Sequence, residues 1–468
     1  MIKPFFQART KIVATLGPAS SSPEMIRKLI LNGLDVARIN MAHGTFSEHA
    51  HRIKMIRDSA HALGASVGIL MDLPGPKLRV AQLPSAGLEL QRNDEVFLTS
   101  DKSKKGPKVI ALSYKHLNKD LKKGEAVFIC DGLIRLVVDS HRQGEVRCRV
   151  THGGTVHVGN GVNLPHSDLS IEAFTPEDKK LLDFGLKQNI DFVGISFVGD
   201  AEDIRRVRQF SQARNKSPFI IAKIERREAL NHLDEIIEET DGIMVARGDL
   251  GVEIPFYELP QRQEDIVSRS REKGKPVIVA TQVLESMIHN PRPTRAEATD
   301  VANAVMQGAD AVMLSGETAV GKYPAEAVKS LSELLSHSEK EKPSNRFNAE
   351  LLKDSKLIMT YEACNIATQM KAKFILVQSI TGRSGLRTSR FRPFVPIIAL
   401  VADEKAQRIL SLVWGVQSYV VGKRALLKPN VSMPRIIKKL IPLQKGDRAI
   451  LIDTPIYSSK IMLSVIDA

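Results

Sequence analysis

Ile220-Ile221-Ala222-Lys223-Ile224-Glu225 and, after a helix-sized gap, Asp241-Gly242-Ile243-Met244-Val245-Ala246-Arg247-Gly248-Asp249-Leu250-Gly251 are the stretches on which the fold is read. Pro218 to Lys223 and Gly242 to Ala246 are apolar runs of strand length, and Glu228 to Glu239 between them carries a helical pattern. In a parallel sheet or barrel, strand-helix-strand sets the two strands side by side, so Lys223, Glu225 and Asp249 are expected to converge at one C-terminal rim. Lys223 and Glu225 are two apart and share a face of their strand. A lysine beside two carboxylates suits a divalent metal held by Glu225 and Asp249, with a cation next to it to neutralise a phosphoryl group. The same three residues also suit a surface ion-pair network. Taken alone they do not decide between the two.

Working outward, the alternation of strand and helix continues on both sides. Upstream, Lys11 to Thr15 reads as a buried strand, and Ser22-Pro23-Glu24 opens a helix with an N-cap, a proline and an acid in the first turn. Asp35 to Ile39 is a second strand running into Asn40-Met41-Ala42-His43-Gly44, with a helix from Phe46 to Leu63. Val67 to Met71 is a third, broken by Asp72-Leu73-Pro74-Gly75-Pro76-Lys77-Leu78-Arg79. Downstream of Thr175-Pro176-Glu177-Asp178, a helix start, Asp191 to Ile195 leads to Ser196. Beyond the opening stretch, Lys275 to Ala280 leads to Thr281-Gln282, and Ala309 to Leu314 is the last strand of the series. Thr294-Arg295-Ala296-Glu297 between them is a capping box. Eight such units make a (β/α)8 TIM barrel, with the polar residues at the end where that fold keeps its active site.

Two segments do not belong to the series. From Val80 to His166, short period-two strands (Glu95 to Leu98, Ala126 to Ile129, Leu133 to Val138, Glu145 to Val150) bounded by glycines indicate a small inserted β domain with a turn at Cys130-Asp131-Gly132. Standing at a strand's C-terminal end, it is expected to act as a lid, a small β-barrel over the rim. After the polar linker Lys342-Pro343-Ser344-Asn345, a separate α/β domain is expected, with strands near Phe374 to Val377, Ile397 to Leu400, Ser418 to Val421 and Ala449 to Ile452. The division is 1–79 and 167–342 for the barrel, 80–166 for the lid and 343–468 for the C-terminal domain. Within the last, Ser379-Ile380-Thr381-Gly382-Arg383-Ser384 joins a strand to a helix start, a hydroxyl-rich turn that suits an anion or is merely capped by its own hydroxyls.

Composition sets outer limits. A chain of 468 residues has room for about three domains. A hydrophobic fraction of 43% with 26% charged residues is that of a globular protein. The net charge of +14 admits anionic partners, but the basic residues are scattered and aromatics are only 5%, which argues against nucleic acid. Cys130, Cys148 and Cys364 have neither metal-ligand spacing nor an even count, which fits a reducing cytoplasm. No apolar run approaches membrane-spanning length.

Several blocks in the same order resemble the pyruvate kinase family over essentially the whole chain: Thr10-Lys11-Ile12-Val13 with Gly17-Pro18-Ala19-Ser20, Gly161-Val162-Asn163-Leu164-Pro165, Lys223-Ile224-Glu225, Ala246 to Gly251, and Asn290-Pro291-Arg292-Pro293-Thr294-Arg295-Ala296-Glu297. The resemblance implies a catalytic barrel, an inserted lid, a C-terminal regulatory domain and a homotetramer. It implies that Glu225 and Asp249 hold Mg²⁺ or Mn²⁺, and that Lys223 stabilises the phosphoryl group passing from phosphoenolpyruvate to ADP. It further implies that Gly248, Asp249 and Thr281 bind the substrate carboxylate, with Thr281 on the proton route to pyruvate. Arg38 and Ser196 would contact substrate, and Asn40, His43 and Arg79 would line the ADP/ATP side. Duller roles stand beside these: Arg38 or Arg79 pairing with a carboxylate, Ser196 finishing a strand, His43 in a turn.

Departures from the family pattern are specific to this chain. Members that need K⁺ carry a serine at the position of Ala42 and a glutamate at that of Lys77. The resemblance, with Leu73 and Val80, is to a branch that does not need the cation, and the expectation is that the Lys77 ammonium replaces K⁺, partnered by Asn40 and Asp72. The lid turn keeps one acid, Asp131, where the family has two. Thr454 to Ser459 replaces the family's glycine- and threonine-rich effector loop, so the Ser379, Thr381, Gly382, Arg383, Ser384 pocket is expected to take a sugar phosphate or phosphate with one wall altered. Two other function classes stay in view: a metal-dependent pyruvate or phosphoenolpyruvate aldolase or lyase, and an inactive basic scaffold.

Overall fold

The computed structural model describes residues 8–142, 144–165, 167, 172–340, 352–427, 436, 443–453 and 462–467. Eight parallel strands close into a barrel, in order around it Lys11–Thr15, Leu34–Asn40, Gly68–Asp72, Phe192–Ile195, Phe219–Ile224, Gly242–Ala246, Val277–Ala280 and Ala311–Leu314. The first pairs with both the second and the eighth, which closes the ring. Each strand reads as a run of apolar residues because both of its faces are covered. Val13, Val36, Leu70, Phe192, Ile221, Met244, Ile278 and Met313 fill the interior, while a larger cluster binds the outer strand faces to the helices. Lys223 and Met244 are neighbours in register, as are Asn40 and Asp72. Polar and charged residues near the C-terminal strand ends are therefore brought to one rim.

Helix starts follow the local chemistry. Thr45 with Glu48, Thr175 with Asp178 and Thr294 with Glu297 each form a reciprocal capping box. The helix expected over Glu228 to Glu239 is two, Arg227–Asn231 and Leu233–Glu239, broken at His232. Asn231 and His232 are poor helix formers, and Asp234 and Glu235 favour a fresh N-terminus one residue on.

The inserted domain is a seven-stranded sheet with a two-stranded piece beside it. It contains the four expected strands and also Val80–Gln82, Leu88–Leu90, Gly154–Val156 and Val162–Asn163, each too short to leave a period-two trace, and Val109–Leu112, which is apolar throughout and does not alternate. The C-terminal domain is a five-stranded sheet in the order Val416–Val420, Ile397–Val401, Phe374–Ser379, Arg448–Asp453, Met462–Asp467. Its last strand is antiparallel and was not expected from the sequence. The linker Lys342 to Asn345 lies outside the described residues. This domain docks on the barrel's N-terminal end: Leu412 joins the interior cluster, Lys11 Nζ donates to the Val416 carbonyl at 3.0 Å, and Arg408 and Arg392 pair with Asp191 and Asp310, each at 2.8 Å.

Candidate active site

Lys223, the penultimate residue of its strand, is buried at the C-terminal rim, and its ammonium meets three partners: Glu225 Oε1 at 2.8 Å, Ser196 Oγ at 2.7 Å and Asp72 Oδ1 at 3.2 Å. Gly194 makes the meeting sterically feasible, because a Cβ there would lie 3.2 Å from Asp72 Oδ1 and 3.7 Å from Lys223 Cδ. Burial by itself disfavours the ammonium, but the charges of Asp72 and Glu225 together outweigh it and raise the pKa, so Lys223 is a fixed cation. Asp72 is the second hub. Arg38 Nε donates to its Oδ2 at 2.8 Å, and Arg38 Nη1 donates to Thr15 Oγ1 at 2.9 Å. Burial raises the Asp72 pKa, and the Lys223 and Arg38 charges reverse that to hold it below the usual range.

Glu225 is strained electrostatically. Its Oε2 accepts the Phe197 N–H at 2.8 Å, from a residue held at a positive φ of 57°. Burial pushes its pKa up, Lys223 opposes this, and the negative charge of Asp249 pushes it up further. A buried carboxylate whose proton affinity is raised by a second carboxylate nearby is a site that added positive charge would relieve. Among the described residues no group of three or more His, Cys, Asp or Glu could hold a metal ion. A pair of carboxylates left for substrate oxygens and water to complete is the manner in which Mg²⁺ is usually bound. Glu225 and Asp249 fit that ion.

Lys77 differs from its expected place. Its ammonium lies 2.9 Å from Asp249 Oδ1, and not on Asn40 and Asp72. Competition for acceptors accounts for this: Asp72 is engaged by Arg38 and Lys223, and Asn40 Oδ1 accepts the Ala42 N–H at 3.1 Å. Gly248 also differs. Its N–H, expected to face a substrate carboxylate, donates to Thr281 Oγ1 at 2.7 Å, and that hydroxyl donates to the Ala280 carbonyl at 2.6 Å.

Thr281 and Gln282 have φ of 65° and 51°, a conformation that costs on the order of 1–3 kcal/mol per residue and must be imposed by the surroundings. Arg247 imposes it. The buried guanidinium donates through Nη2 to the carbonyls of Thr281 and Gln282, at 2.8 and 3.0 Å, and Nη1 is anchored on Asp300 at 2.6 Å. This role of Arg247 was missed in the sequence; the available signal was a charged residue directly after a wholly apolar strand.

The remaining candidates do not join the network. His43 is exposed in a turn, and Arg79 Nη1 donates to the Gly159 carbonyl at 2.9 Å, within the base of the lid. Among the described residues, the lid meets the rim at Gly132 and at Asn163. A Cβ on Gly132, beside the positive-φ residues Cys130 and Asp131, would lie 3.6 Å from Val252, and Asn163 Nδ2 donates to Glu253 Oε1 at 3.1 Å. Burial pushes the Glu253 carboxyl up to about 7, with Asn163 and Arg226 opposing and Asp249 adding. In the C-terminal domain the Ser384 N–H donates to Ser379 Oγ at 3.2 Å, Gly382 takes the left-handed φ of 85° that the turn requires, and Thr381 and Arg383 are exposed. The altered wall, Thr454 to Ser459, lies outside the described residues.

Comparison with known proteins matches residues 7–328 to the family model described as pyruvate kinase, barrel domain, and residues 359–454 to that described as pyruvate kinase, alpha/beta domain. A protein of Thermococcus litoralis named pyruvate kinase is 41% identical over 423 residues, 89% of each chain. One of Staphylococcus aureus with the same name is 40% identical over 422 residues, 88% of this chain and 72% of the relative.

Proposed function

The chain belongs to the pyruvate kinase family and is a phosphotransferase of that kind, and from this premise we propose how its own residues divide the work of moving a phosphoryl group from phosphoenolpyruvate to ADP. Lys223, a permanent cation inside a ring of acceptors, neutralises the charge that spreads over the phosphoryl oxygens in transit. Arg38, fixed by Asp72 and Thr15, grips the same group from the neighbouring strand. Glu225 and Asp249 hold Mg²⁺, which when bound supplies charge neutralisation and orientation of the phosphoryl oxygens. Thr281, locked by Gly248, Ala280 and Arg247, keeps its hydroxyl at the substrate end and hands on the proton that turns the enolate into pyruvate. Ser196 orients the Lys223 ammonium. Asn40, His43 and Arg79 face the nucleotide once the lid closes.

The observation that carries this reading is the contact of Lys223 with Glu225, Asp72 and Ser196 at 2.8, 3.2 and 2.7 Å. Glu225→Gln tests it, because the amide removes the charge at nearly unchanged volume, keeping one acceptor for either Lys223 or the Phe197 N–H and turning its NH₂ towards the other. Turnover in an ADP-dependent assay is expected to fall about 10²–10³-fold. Undiminished turnover would refute the assignment. The comparisons lend no support to an aldolase or lyase, and the assembled Lys223, Glu225 and Asp249 argue against an inactive scaffold.

Activity without a monovalent cation follows from Lys77. Its ammonium on Asp249 supplies fixed positive charge next to the substrate site and repels a second cation. In buffers free of Na⁺ and K⁺ the rate should be close to maximal; a many-fold rise on adding K⁺ would sink the idea. The Ser379 to Ser384 turn is read as the place where a phosphate or sugar phosphate acts on a homotetramer. The expected result is a shift of the phosphoenolpyruvate saturation curve on adding phosphorylated sugars, abolished by Thr381→Ala. The lack of paired cysteines, Cys130, Cys148 and Cys364 all being free thiols, supports a cytoplasmic setting. No helix among the described residues is long and apolar enough to cross a membrane.

A further inference from the structure

Three neighbouring barrel helices, Phe46–Ala62, Pro176–Lys187 and Ala201–Gln212, leave between their outer faces a cleft of about 520 Å³. None of the residues assigned to catalysis lines it. Its floor is phenyl. Phe46 and Phe184 stack with ring centroids 4.8 Å apart and planes inclined by 22°, and Phe210 lines the cleft beside them. Phe46 remains 46% exposed, although it opens a capped helix where a polar residue would serve as well. An aromatic face left to water in an open cleft of this volume offers a surface on which a small flat molecule can stack.

The rim of the cleft is cationic. Lys187 and Arg214 share the lining carboxylate Asp183, at 2.7 and 2.6 Å, and so are largely compensated. Lys179 and Lys180 are not. Lys180 reaches Glu177 only at 3.6 Å, and Lys179 approaches the Phe174 ring at 5.7 Å while making no ion pair among the described residues. Arg214 lies over the face of Phe210, 3.5 Å from the ring centroid, so this floor already holds a flat cationic group against an aromatic ring. The four lining cations against one carboxylate leave an excess of positive charge above an apolar floor.

We propose that this cleft binds a flat aromatic anion, a ring system bearing one phosphate, sulfonate or carboxylate. The ring would lie on the exposed side of the Phe46–Phe184 stack, beside the Arg214-covered Phe210, and the anionic group would sit between Lys179 and Lys180. Ring stacking supplies affinity with little demand on ring identity, and the two lysines supply selection for charge. A neutral aromatic molecule would leave the lysines as they are, and a small inorganic anion would leave the phenyl floor wet. Only the combination uses both halves of the site.

The test is titration of the full chain with 1-naphthyl phosphate, followed by ligand fluorescence and calorimetry, with uncharged 1-naphthol as comparator. One molecule of the phosphate should bind per chain and persist in saturating phosphoenolpyruvate, ADP and inorganic phosphate. Naphthol should bind about tenfold more weakly or worse, the worth of one charge-assisted contact. The double variant Lys179→Glu/Lys180→Glu and, separately, Phe46→Ser should each weaken the phosphate by about tenfold, with the thermal midpoint and the turnover unchanged. Displacement by phosphoenolpyruvate or ADP, equal affinity for naphthol, or binding indifferent to both variants would each overturn the proposal.

Discussion

At the N-terminal end of the barrel Asp191 spends both oxygens: Oδ2 accepts from Arg57 at 2.7 Å and from the Ile69 N–H at 2.9 Å, and Oδ1 accepts from Arg408 at 2.8 Å. Asp310 at the same end is shared by Arg392 and the N–H groups of Val277 and Trp414. At the C-terminal rim, Asp72 Oδ1 lies within ion-pair reach of Lys223 yet accepts no well-aligned hydrogen bond, and Glu225 is pushed towards protonation by burial and by Asp249. Both ends bury charge. One saturates every acceptor and thereby fastens two domains together; the other leaves an Asp72 oxygen without a hydrogen bond and Glu225 short of positive charge. A buried ionic network whose demands are met is structural, while one with unmet demands is poised for a ligand.

The largest effect should come from breaking the saturated end. Asp191→Ala would leave Arg57 and Arg408 facing each other with no carboxylate between them and free the Ile69 N–H, at a cost of about 3–5 kcal/mol. Thermal or urea unfolding would report it, and the folded fraction should keep normal turnover, since Asp191 sits at the opposite end from Lys223. A loss below about 1 kcal/mol would mean that the two ends do not differ in kind. Glu225→Gln should behave the opposite way. It abolishes most activity, yet Lys223 keeps Asp72 and Ser196 as partners, so unfolding should show a smaller loss of stability than Asp191→Ala.

The contrast also marks what the sequence could reveal. The eight strands were legible because a strand covered on both faces must be a short apolar run, and Lys223 with Glu225 were legible because two residues apart on a strand share a face. Asp249 could be brought to them by the β-α-β connection alone. The partner of Lys77 could not be read, because it is decided by which distant carboxylate is already taken: Arg38 and Lys223 hold Asp72, and that fact comes from two other strands. Arg247 escaped for a related reason, since its target is a pair of strained carbonyls whose φ values have no sequence signature. The small lid strands such as Leu88–Leu90 are too short to repeat a pattern, and Leu88–Leu90 pairs with Gly154–Val156 only after the chain has passed through most of the larger lid sheet. The ion pairs that join the C-terminal domain to Asp191 and Asp310 are likewise invisible to periodicity.

Glu253 gives the finest test, because it stands where the lid meets the rim and has features of both ends. It is hydrogen-bonded to Asn163, as a structural carboxylate would be, yet burial raises it to about 7, as at a site short of positive charge. A carboxyl with a folded-state pKa above its unfolded value of about 4.3 is better protonated in the fold. Below pH 4 both states carry the proton and the group contributes no pH dependence. As pH rises through 4 to 7, the unfolded chain ionises first, and the native state loses relative stability until it too ionises near 7, after which the penalty is constant. Glu253→Gln keeps an acceptor for Asn163 and cannot ionise, so at pH 8 it should unfold at a higher temperature than the parent. The gain should be about 1 kcal/mol, reduced by the partial exposure of the side chain. At pH 4 the two midpoints should coincide. A gain that persists at pH 4 would assign the effect to packing, and a loss at pH 8 would place Glu253 with Asp191, as a carboxylate whose charge the fold needs.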